Sequence, residues 1–388
     1  MNALTKQHLI DPEVCIRCNT CEATCPVDAI THDDNNYVVD PGKCNFCMDC
    51  VAPCPTGSID HWFHVPEPFP LAAQFSWMEL PPKPAEPLAS LMDNEAEALL
   101  EAAHTGAGGR VLAPPSAARP LVNIFNRTNP ARATITGNFR VATGGSDTRH
   151  IILDFGSRNF PVLEGQSIGL VPPGFDAAGK PHTMRLYSVA SPRDGERPNT
   201  NNLALTVKRV EGGVASNWLC NLKMGEMVEV IGPFGSTFLM PDAPDANILM
   251  ICTGTGAAPF RGFTERRRRT APLASGRLHL YFGARTPEEL PYFGPLQKLP
   301  KTLLQQELVY SRLPDAPREY VQDRMRARAA SLAALLRSET LHIYICGLKG
   351  LEDGVESALT DIAMDAGLNW PDIRETLRRS GRFHVETY

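Results

Sequence analysis

The sequence contains no apolar run that approaches the ~18 residues of a membrane-spanning helix. Its start, Met1 to Gln7, is polar in character and lacks the apolar core of a signal peptide. Strong charge of either sign is also absent, because 38 Lys and Arg residues stand against 43 Asp and Glu residues, for a formal net charge of −5. There is thus no electrostatic reason to expect nucleic acid or an anionic membrane as a partner. These absences predict a soluble, cytoplasmic protein.

Disulfides are also not expected, although the chain has 11 cysteines. Eight of them lie between Cys15 and Cys54, and this density is typical of metal binding in a reducing compartment rather than of a small secreted scaffold. Cys220 and Cys252 lie in apolar surroundings and are predicted to be core residues. With 388 residues, of which 43% are hydrophobic, the chain is long enough for two or three domains.

The cysteine-rich segment contains one motif twice, C-x2-C-x2-C-x3-C-P. This is the spacing of bacterial iron–sulfur proteins, in which the fourth cysteine of each motif binds the other cluster. Two [4Fe–4S] clusters are therefore predicted, one held by Cys15, Cys18, Cys21 and Cys54 and the other by Cys44, Cys47, Cys50 and Cys25. Zinc is the alternative, although zinc sites typically use pairs of C-x2-C. The segment resembles the two-[4Fe–4S] bacterial ferredoxins throughout.

Changes of composition predict four segments. Residues 1–64 form the ferredoxin-like domain. Residues 65–117 form a proline-rich linker, because prolines disfavour regular structure, with a helix-prone stretch at residues 89–103. Residues 118–245 have short strands punctuated by Gly and Pro, as in an antiparallel β-barrel. Residues 246–388 alternate strands with helices, as in a Rossmann-like parallel sheet. The predicted fold class is multidomain, α+β and α/β.

Individual elements can be predicted in the last two segments. In the barrel, strands are expected at residues 122–125, 133–135, 150–155, 167–171, 203–210 and 227–231. In the parallel sheet, strands are expected at residues 248–252, 278–282, 308–310 and 341–346, and helices around residues 261–269 and 322–336. The four arginines from Arg266 to Arg269 are more typical of a solvated helix face than of a partner contact.

Two short stretches carry residue types suited to dinucleotides. In Arg185-Leu186-Tyr187-Ser188, the guanidinium would bind a phosphate, the aromatic ring would lie against a flat heterocycle and the hydroxyl would reach its polar edge. An ordinary strand with one exposed charge is the alternative. Gly254-Thr255-Gly256 follows an apolar strand and precedes a helix, which is the context in which a glycine turn binds pyrophosphate.

Together these stretches resemble the plant-type ferredoxin–NADP+ reductases. The similarity extends over residues 164–169, 179–182, 185–188, 207–209, 213–219, 232–235, 254–260, 346–352 and 384–388. It implies that Arg185 binds the pyrophosphate of FAD, that Tyr187 stacks on the isoalloxazine and that Ser188 lies near its N5 atom. It also implies FAD contacts for Val207, Arg209, Gly213, Val214, Ala215 and Ser216. Ala215 stands where the family often has Cys, and a solvated strand edge is the alternative for Lys208 and Arg209.

The resemblance implies an NADPH site in the last segment. Thr255 and Gly256 would approach the pyrophosphate. The adenosine 2′-phosphate would be held by Ser311, Arg312, Arg318, Tyr320 and Gln322. A guanidinium fork, a hydroxyl and an aromatic face suit a dianionic phosphate beside adenine, and no acidic residue typical of NAD-specific sites is obvious. Cys346, with Gly347 and Leu348, would face the nicotinamide. Tyr388 would cover the flavin, with Glu386 two residues before it.

The resemblance implies an electron-transfer enzyme in which hydride passes from NADPH to FAD, with Ser188, Cys346, Glu386 and Tyr388 as the catalytic residues. Single electrons would then leave through the two clusters. The domain combination resembles the reductase components of benzoyl-CoA oxygenases, which implies a separate di-iron oxygenase as acceptor and benzoyl-CoA epoxidation in aerobic aromatic degradation. The alternatives are a stand-alone NADPH–ferredoxin or flavodoxin oxidoreductase and a non-catalytic redox-sensing protein. The choice between monomer and homodimer stays open.

Overall fold

A computed structural model describes residues 5–13, 15–47, 49–51, 53–56, 58–59, 61–65, 67–81, 94–103, 112–142, 144–177, 179–292, 296, 299–314 and 316–388. The chain divides into two compact units, Met1–Met92 and Asp93–Tyr388. Each unit has its own hydrophobic cores. Among the described residues, no helix is both long enough and apolar enough to cross a membrane.

The first unit is built from short elements around the cysteine motifs. They are β1 (Thr5–Leu9), α1 (Thr20–Thr24), β2 (Ile30–His32), β3 (Tyr37–Val39), β4 (His61–Val65) and α2 (Leu71–Phe75). β1 pairs with β4 and β2 pairs with β3, both antiparallel. The β1–β4 pair joins the segments that flank the cysteine motifs, and the β2–β3 pair lies between the two motifs.

Side-chain amides hold α2 and the residues beside it on this unit. The amide of Gln74 donates to the carbonyl of Val39 at 3.0 Å and accepts from its N–H at 3.2 Å. Asn36 donates to the carbonyl of Trp77 at 2.7 Å, and the Trp77 ring packs on the core that contains Leu9. The predicted linker, residues 65–117, thus begins with a segment that packs on the first unit. Residues 82–93 and 104–111 of that linker lie outside the described residues.

The second unit contains a six-stranded antiparallel sheet. Its strands are β5 (Ala131–Arg140), β6 (Thr148–Asp154), β7 (Ser167–Leu170), β8 (Arg185–Ser188), β9 (Asn202–Lys208) and β10 (Met227–Phe234). The strand order is β8-β7-β10-β5-β6-β9, and a bridge between Val189 and Leu205 joins the two edges, as in the predicted barrel. The predicted strand at residues 122–125 is wrong, because Asn123 has a φ of 51° that interrupts an extended backbone. One helix, α4 (Val214–Asn221), follows β9.

A five-stranded parallel sheet completes the second unit. Its strands are β11 (Asn247–Thr253), β12 (Leu278–Ala284), β13 (Leu304–Tyr310), β14 (Leu341–Gly347) and β15 (Phe383–Thr387), in the order β13-β12-β11-β14-β15. Its helices are α5 (Ala257–Thr270), α6 (Val321–Ala327), α7 (Ala329–Leu336), α8 (Leu351–Asp365) and α9 (Trp370–Arg379). Alternate residues of β11 are buried in two different cores. Ile248 and Met250 pack in the core that contains Phe260 of α5, and Leu249 and Ile251 pack in the core formed with α6 to α9. Burial on both faces is what the continuous apolar strands predict, and the Rossmann-like fold is confirmed.

A helix that precedes the barrel, α3 (Asn94–Ala103), belongs to the second unit and contacts β15. β15 is an edge strand of the parallel sheet, and edge strands of a sheet are commonly covered by other elements. Ala96 and Leu100 are buried on this helix. The predicted helix at residues 89–103 is therefore present from Asn94 onward, and its first residues are outside the described part of the chain.

Candidate active site

A cleft of about 450 Å³ lies where the parallel strands end. The carboxyl ends of parallel strands are the usual ligand-binding edge of such sheets. The structure brings most of the residues predicted for NADPH into this cleft, namely Thr255, Ser311, Arg312, Arg318, Tyr320, Gln322 and Leu348. It adds three cations that the sequence analysis missed as ligand contacts, Lys208, Arg285 and Lys349. Arg285 directly follows β12. Because ligands bind at the carboxyl ends of parallel strands, its position in the sequence could have indicated a ligand contact.

Glycines allow the end of β11 to approach β14. The residues Gly254–Gly256 form a 3₁₀ turn between β11 and α5. A Cβ on Gly256 would lie 2.1 Å from the carbonyl oxygen of Cys346, and a Cβ on Gly347 would lie 2.5 Å from the Oγ1 of Thr253. Within the described structure, that Thr253 oxygen is buried without a hydrogen-bond partner. The turn is thus packed against the strand that carries Cys346, with an unpaired polar atom at the cleft wall.

The last strand brings the predicted catalytic residues of this domain together. Cys346 and Glu386 are register partners on the neighbouring strands β14 and β15. The N–H of Tyr388 donates to the carbonyl of Gly347 at 3.0 Å, and its hydroxyl lies 2.7 Å from the Oγ1 of Thr255. Tyr388 is 51% exposed, whereas Cys346 is buried. The terminal ring therefore lies beside the glycine turn, at a surface that a ligand can reach.

Burial dominates the electrostatics of this pair. It raises the pKa of the Glu386 carboxyl to about 8, because a buried carboxylate loses its hydration. Burial also raises the pKa of the Cys346 thiol, and the nearby Glu386 and Cys252 add to that effect. At neutral pH both groups are therefore protonated, so that Glu386 is a neutral acid and Cys346 a thiol.

The strand β8 displays the predicted flavin residues on the barrel. Arg185 is exposed, and its Nη1 donates to the Oγ1 of Thr183 at 2.6 Å and to the carbonyl of Met184 at 3.0 Å. Its Nε and Nη2 groups make no hydrogen bond to any described residue. Burial raises the pKa of Tyr187 to about 12, and the hydroxyl of Ser188 lies 3.5 Å from that of Ser167. An exposed guanidinium with unused donors is suited to a phosphate.

The start of α4 is the second part of the flavin site. Gly213 precedes the helix, and no side chain in the described part of the chain caps it, so that the amides of its first turn are available to an anion. A Cβ on Gly213 would lie 2.7 Å from the Oγ of Ser216. Ser216 accepts a hydrogen bond from the N–H of Val210 at 3.1 Å and retains its own O–H as a donor.

Two residues predicted for FAD have side chains that are otherwise engaged. Val207 is buried in the barrel core, so only its backbone can face a ligand. The guanidinium of Arg209 donates to Asp147 at 2.7 Å, to Asn217 at 2.9 Å and to Asn221 at 3.0 Å. It therefore holds α4 against the barrel and is not a solvated strand edge.

The arginine run on α5 also differs from the solvated face that the sequence predicts. Arg267 is only 2% exposed and donates to the carbonyls of Gly276 at 2.9 Å and Ala246 at 3.3 Å. Arg269 pairs with Asp194 at 3.0 Å, and Arg268 pairs with Glu265 at 2.6 Å and is half exposed. The interpretation is wrong for Arg267 and Arg269, because the helix packs against the rest of the unit on more than one side.

The eight cysteines of the first unit divide between two cavities. One is lined by Cys15, Cys18, Cys21 and Cys54, and the other by Cys25, Cys44, Cys47 and Cys50. These are the two sets predicted from the spacing. No three His, Cys, Asp or Glu side chains among the described residues come close enough to hold a single metal ion; the four thiols of each set lie around a cavity instead.

The surroundings of the sulfurs fit iron–sulfur clusters. The hydroxyl of Thr20 lies 3.2 Å from the Sγ of Cys18, and that of Ser58 lies 3.4 Å from the Sγ of Cys54. Hydrogen bonds to ligand sulfurs are a normal means of adjusting cluster potentials. Cys220 and Cys252, which the sequence predicts to be core residues, are buried in apolar clusters of the second unit.

The fold and these sites define a nucleotide-dependent oxidoreductase that carries an iron–sulfur domain. Models of three domain families match the chain. They are a 4Fe-4S dicluster domain over residues 7–55, an oxidoreductase FAD-binding domain over residues 160–238 and an oxidoreductase NAD-binding domain over residues 250–357. The predicted FAD, nucleotide and iron–sulfur domains are thereby confirmed. The number of clusters, the domain boundaries and the roles of individual residues stay predictions.

Relatives that match more than two thirds of the chain identify the family. The ferredoxin–NADP reductase of Spirulina sp. is 37% identical over 288 residues, which cover 69% of this chain and 98% of that protein. The chloroplastic leaf isozyme 1 of Arabidopsis thaliana is 33% identical over 288 residues, with 69% and 80% covered. A solved ferredoxin–NADP+ reductase from Plasmodium falciparum has a TM-score of 0.56 at 24% identity, over 69% of this chain and all of that one, and supports the fold. The chain belongs to the ferredoxin–NADP reductase family and has a 4Fe-4S dicluster domain in addition.

Proposed function

We propose that the protein oxidises NADPH through FAD and passes single electrons through two [4Fe–4S] clusters to a protein acceptor. The main support is that the cleft and the contact of Thr255 with Tyr388 lie at the same edge of the parallel sheet. The cleft collects the predicted phosphate-binding residues, and Thr255 at its wall contacts Tyr388. A dinucleotide bound along this edge would extend from the cations of the cleft to the terminal ring.

The charges of the cleft favour NADPH over NADH. Arg312 and Arg318 lie together with the hydroxyl of Ser311, a set that suits a 2′-phosphate. Two carboxylates, Glu289 and Glu319, also line the cleft. Glu289 lies 4.0 Å from the Nζ of Lys208, and both oxygens of Glu319 accept hydrogen bonds from Arg324 at 2.6 Å. Each carboxylate is therefore paired with a cation of the protein and is poorly placed to take ribose hydroxyls.

The chain's own residues would prepare the hydride site. Tyr388 would move aside for the nicotinamide, and its side-chain hydrogen bond to Thr255 is an anchor of about 1 kcal/mol. The neutral Glu386 would hold a proton beside the reacting rings, and Ser188 and the Cys346 thiol would line the site. Bound FAD would supply the hydride chemistry and release electrons one at a time. The two cysteine sets would hold the clusters through which electrons leave for the acceptor.

The acceptor that we propose is a di-iron oxygenase that epoxidises benzoyl-CoA. The support is the resemblance of the whole domain combination to reductase components of such systems. The alternative is a general reductase of a separate ferredoxin or flavodoxin. The relatives are ferredoxin–NADP reductases, which supports ferredoxin as the acceptor in that alternative. It differs from the proposal in the acceptor and not in the chemistry of the flavin site.

Anaerobic titration with NADPH, followed by absorption and EPR, tests the electron path. We expect flavin bleaching together with the signals of reduced clusters, and iron analysis consistent with two cubanes. Bleaching of flavin with clusters that stay oxidised would exclude the path. The variant Arg326→Gln is the control and should give the same titration as wild type. Arg326 pairs with Asp361 on α8 at 2.7 Å and does not line the cleft.

A second experiment identifies the acceptor. The reduced protein is mixed with the oxygenase, benzoyl-CoA and O2, and in parallel with a ferredoxin and a flavodoxin. Epoxide formation at a rate comparable to NADPH oxidation supports the proposed acceptor. Rapid reduction of the small carriers without epoxide formation would instead favour the general reductase.

A further inference from the structure

Helix α5 presents two arginines, Arg261 and Arg269, to the barrel. Arg261 and Arg269 are eight residues apart, and such positions lie on one face of a helix. Arg269 donates to the carbonyls of Gly195 and Glu196 at 2.7 Å each. Arg261 forms two parallel hydrogen bonds with the carboxylate of Glu196, at 2.6 and 2.9 Å. One helix face is thus attached to a single loop of the barrel.

Arg261 also reaches the end of the flavin strand. Its Nη1 donates to the carbonyl oxygen of Ala190 at 2.8 Å, and Ala190 lies two residues after Ser188. The helix backbone is close to the same place, since a Cβ on Gly262 would lie 3.1 Å from the carbonyl oxygen of Ser191. In the other direction, Arg261 is only six residues from Thr255. It therefore connects the strand that bears Ser188 with the turn that bears Thr255.

The surroundings of this contact are buried and hydrogen-bonded. The Arg261 and Glu196 side chains are 11% and 14% exposed. His150 lies 3.3 Å from Glu196 and 3.0 Å from the hydroxyl of Tyr292, whose ring also lies below the Arg261 guanidinium. Burial alone would raise the pKa of Glu196, but the hydrogen bonds from His150 and Arg261 outweigh it and hold the pKa at about 2. Such a buried pair contributes little net stability and more to a defined geometry.

We infer that Arg261, held by Glu196, is a positioning residue that sets the orientation of the nucleotide-binding turn relative to the flavin strand. The inference rests on the proposed function, because it assigns these residues to the alignment of the two rings for hydride transfer. Arg261 touches neither ring in this role. It acts through the backbone of Ala190 and through the start of α5.

The test compares Arg261→Gln, Arg261→Lys and Glu196→Gln with wild type in NADPH-dependent ferricyanide reduction. Because misplacement of reacting groups by about 1 Å costs up to ~100-fold in rate, we expect kcat to fall roughly 10- to 100-fold in Arg261→Gln. The KM for NADPH should change by no more than about threefold, since the phosphate-binding residues are untouched. Arg261→Lys should recover part of kcat, because an ammonium keeps the charge but loses the fork.

Arg268→Gln is the matched control, because Arg268 lies on the same helix, is half exposed and pairs with Glu265. It should leave kcat and KM unchanged. A loss of thermal stability in Arg261→Gln with unchanged kcat would overturn the inference, as would a parallel change of kcat and KM in all three variants. If Arg261→Gln does not fold, the inference is decided by Glu196→Gln, which keeps the size of the side chain.

Hydrogen exchange separates this inference from the proposed function. Arg261→Gln should exchange amides faster both in residues 190–196 and in residues 254–256, and Arg268→Gln should not. Unchanged exchange in both segments would overturn the positioning role whatever the acceptor. A wild-type protein that reduces no acceptor with NADPH would instead overturn the proposed function and leave the exchange result standing.

Discussion

The protonation state of Glu386 is set by its burial, and it gives a pH dependence that can be measured. Its pKa is raised from an ordinary 4.5 to about 8, so the folded chain holds a proton that the unfolded chain releases in this range. The free energy of unfolding should therefore decrease as the pH rises from about 4.5 to about 8. In Glu386→Gln the decrease should be smaller, as judged by denaturant unfolding at pH 5, 6, 7 and 8.

The same residue predicts a pH profile for catalysis. If the neutral carboxyl is the active form, kcat for ferricyanide reduction should fall about tenfold per pH unit above pH 8 in wild type. Glu386→Gln cannot ionise and should show a flat profile in this region, at a lower rate. A profile in Glu386→Gln that still falls above pH 8 would assign the ionisation to another group.

Arg312 predicts the choice of nucleotide. Arg312→Gln removes a charge-assisted hydrogen bond to a 2′-phosphate, a loss of about 1.5–3 kcal/mol. We expect kcat/KM for NADPH to fall roughly 10- to 100-fold, whereas kcat/KM for NADH should stay within about threefold of wild type. Steady-state kinetics with both nucleotides measure the ratio. Arg326→Gln, at a position of α6 that does not line the cleft, should preserve it. An equal loss with both nucleotides in Arg312→Gln would argue against a 2′-phosphate site.

At the scale of elements, α3 covers the edge strand that carries Glu386. Leu100 is one of its buried residues, and shortening a buried Leu typically costs about 2–5 kcal/mol. We expect Leu100→Ala to lose about 2 kcal/mol of unfolding free energy, because the helix is short, and to speed amide exchange in β15. Glu101→Ala, at an exposed position of the same helix, is the control. Unaltered exchange in β15 would mean that the strand is held by its pairing with β14 alone.

At the scale of the whole molecule, the two units predict two separable activities. In the double variant Cys18→Ser, Cys47→Ser, each cysteine set loses one thiolate, while the second unit is unchanged. NADPH-dependent ferricyanide reduction should stay within about twofold of wild type, because ferricyanide accepts electrons directly from flavin. Transfer to a protein acceptor should fall at least about tenfold. Iron content and EPR report the cluster loss, and retention of full transfer to the protein acceptor would place the exit outside the first unit.

The sequence predicts those features of the molecule that are set by residues close together in the chain. The two cysteine motifs have a fixed short spacing, and so both sets could be assigned without coordinates. The glycine turn at Gly254–Gly256 and the apolar strands of the parallel sheet are local patterns as well, and the cleft residues followed from strand ends and the family resemblance. The wrong strand at residues 122–125 is a local failure, because the left-handed backbone of Asn123 is not visible in side-chain hydrophobicity.

By itself, then, the amino-acid sequence determined the cysteine sets, the order of the domains and most residues of the cleft, because short-range spacing and strand periodicity carry that information. Only the tertiary structure decided the roles of charged residues with distant partners. Arg267 and Arg269 look like solvated charges in sequence, and Arg209 looks like an FAD contact or a solvated strand edge, yet their acceptors come from other elements. The contact of Arg261 with Glu196 and Ala190 is of the same kind. Its partners lie 65 and 71 positions away, and folding alone brings them to one guanidinium.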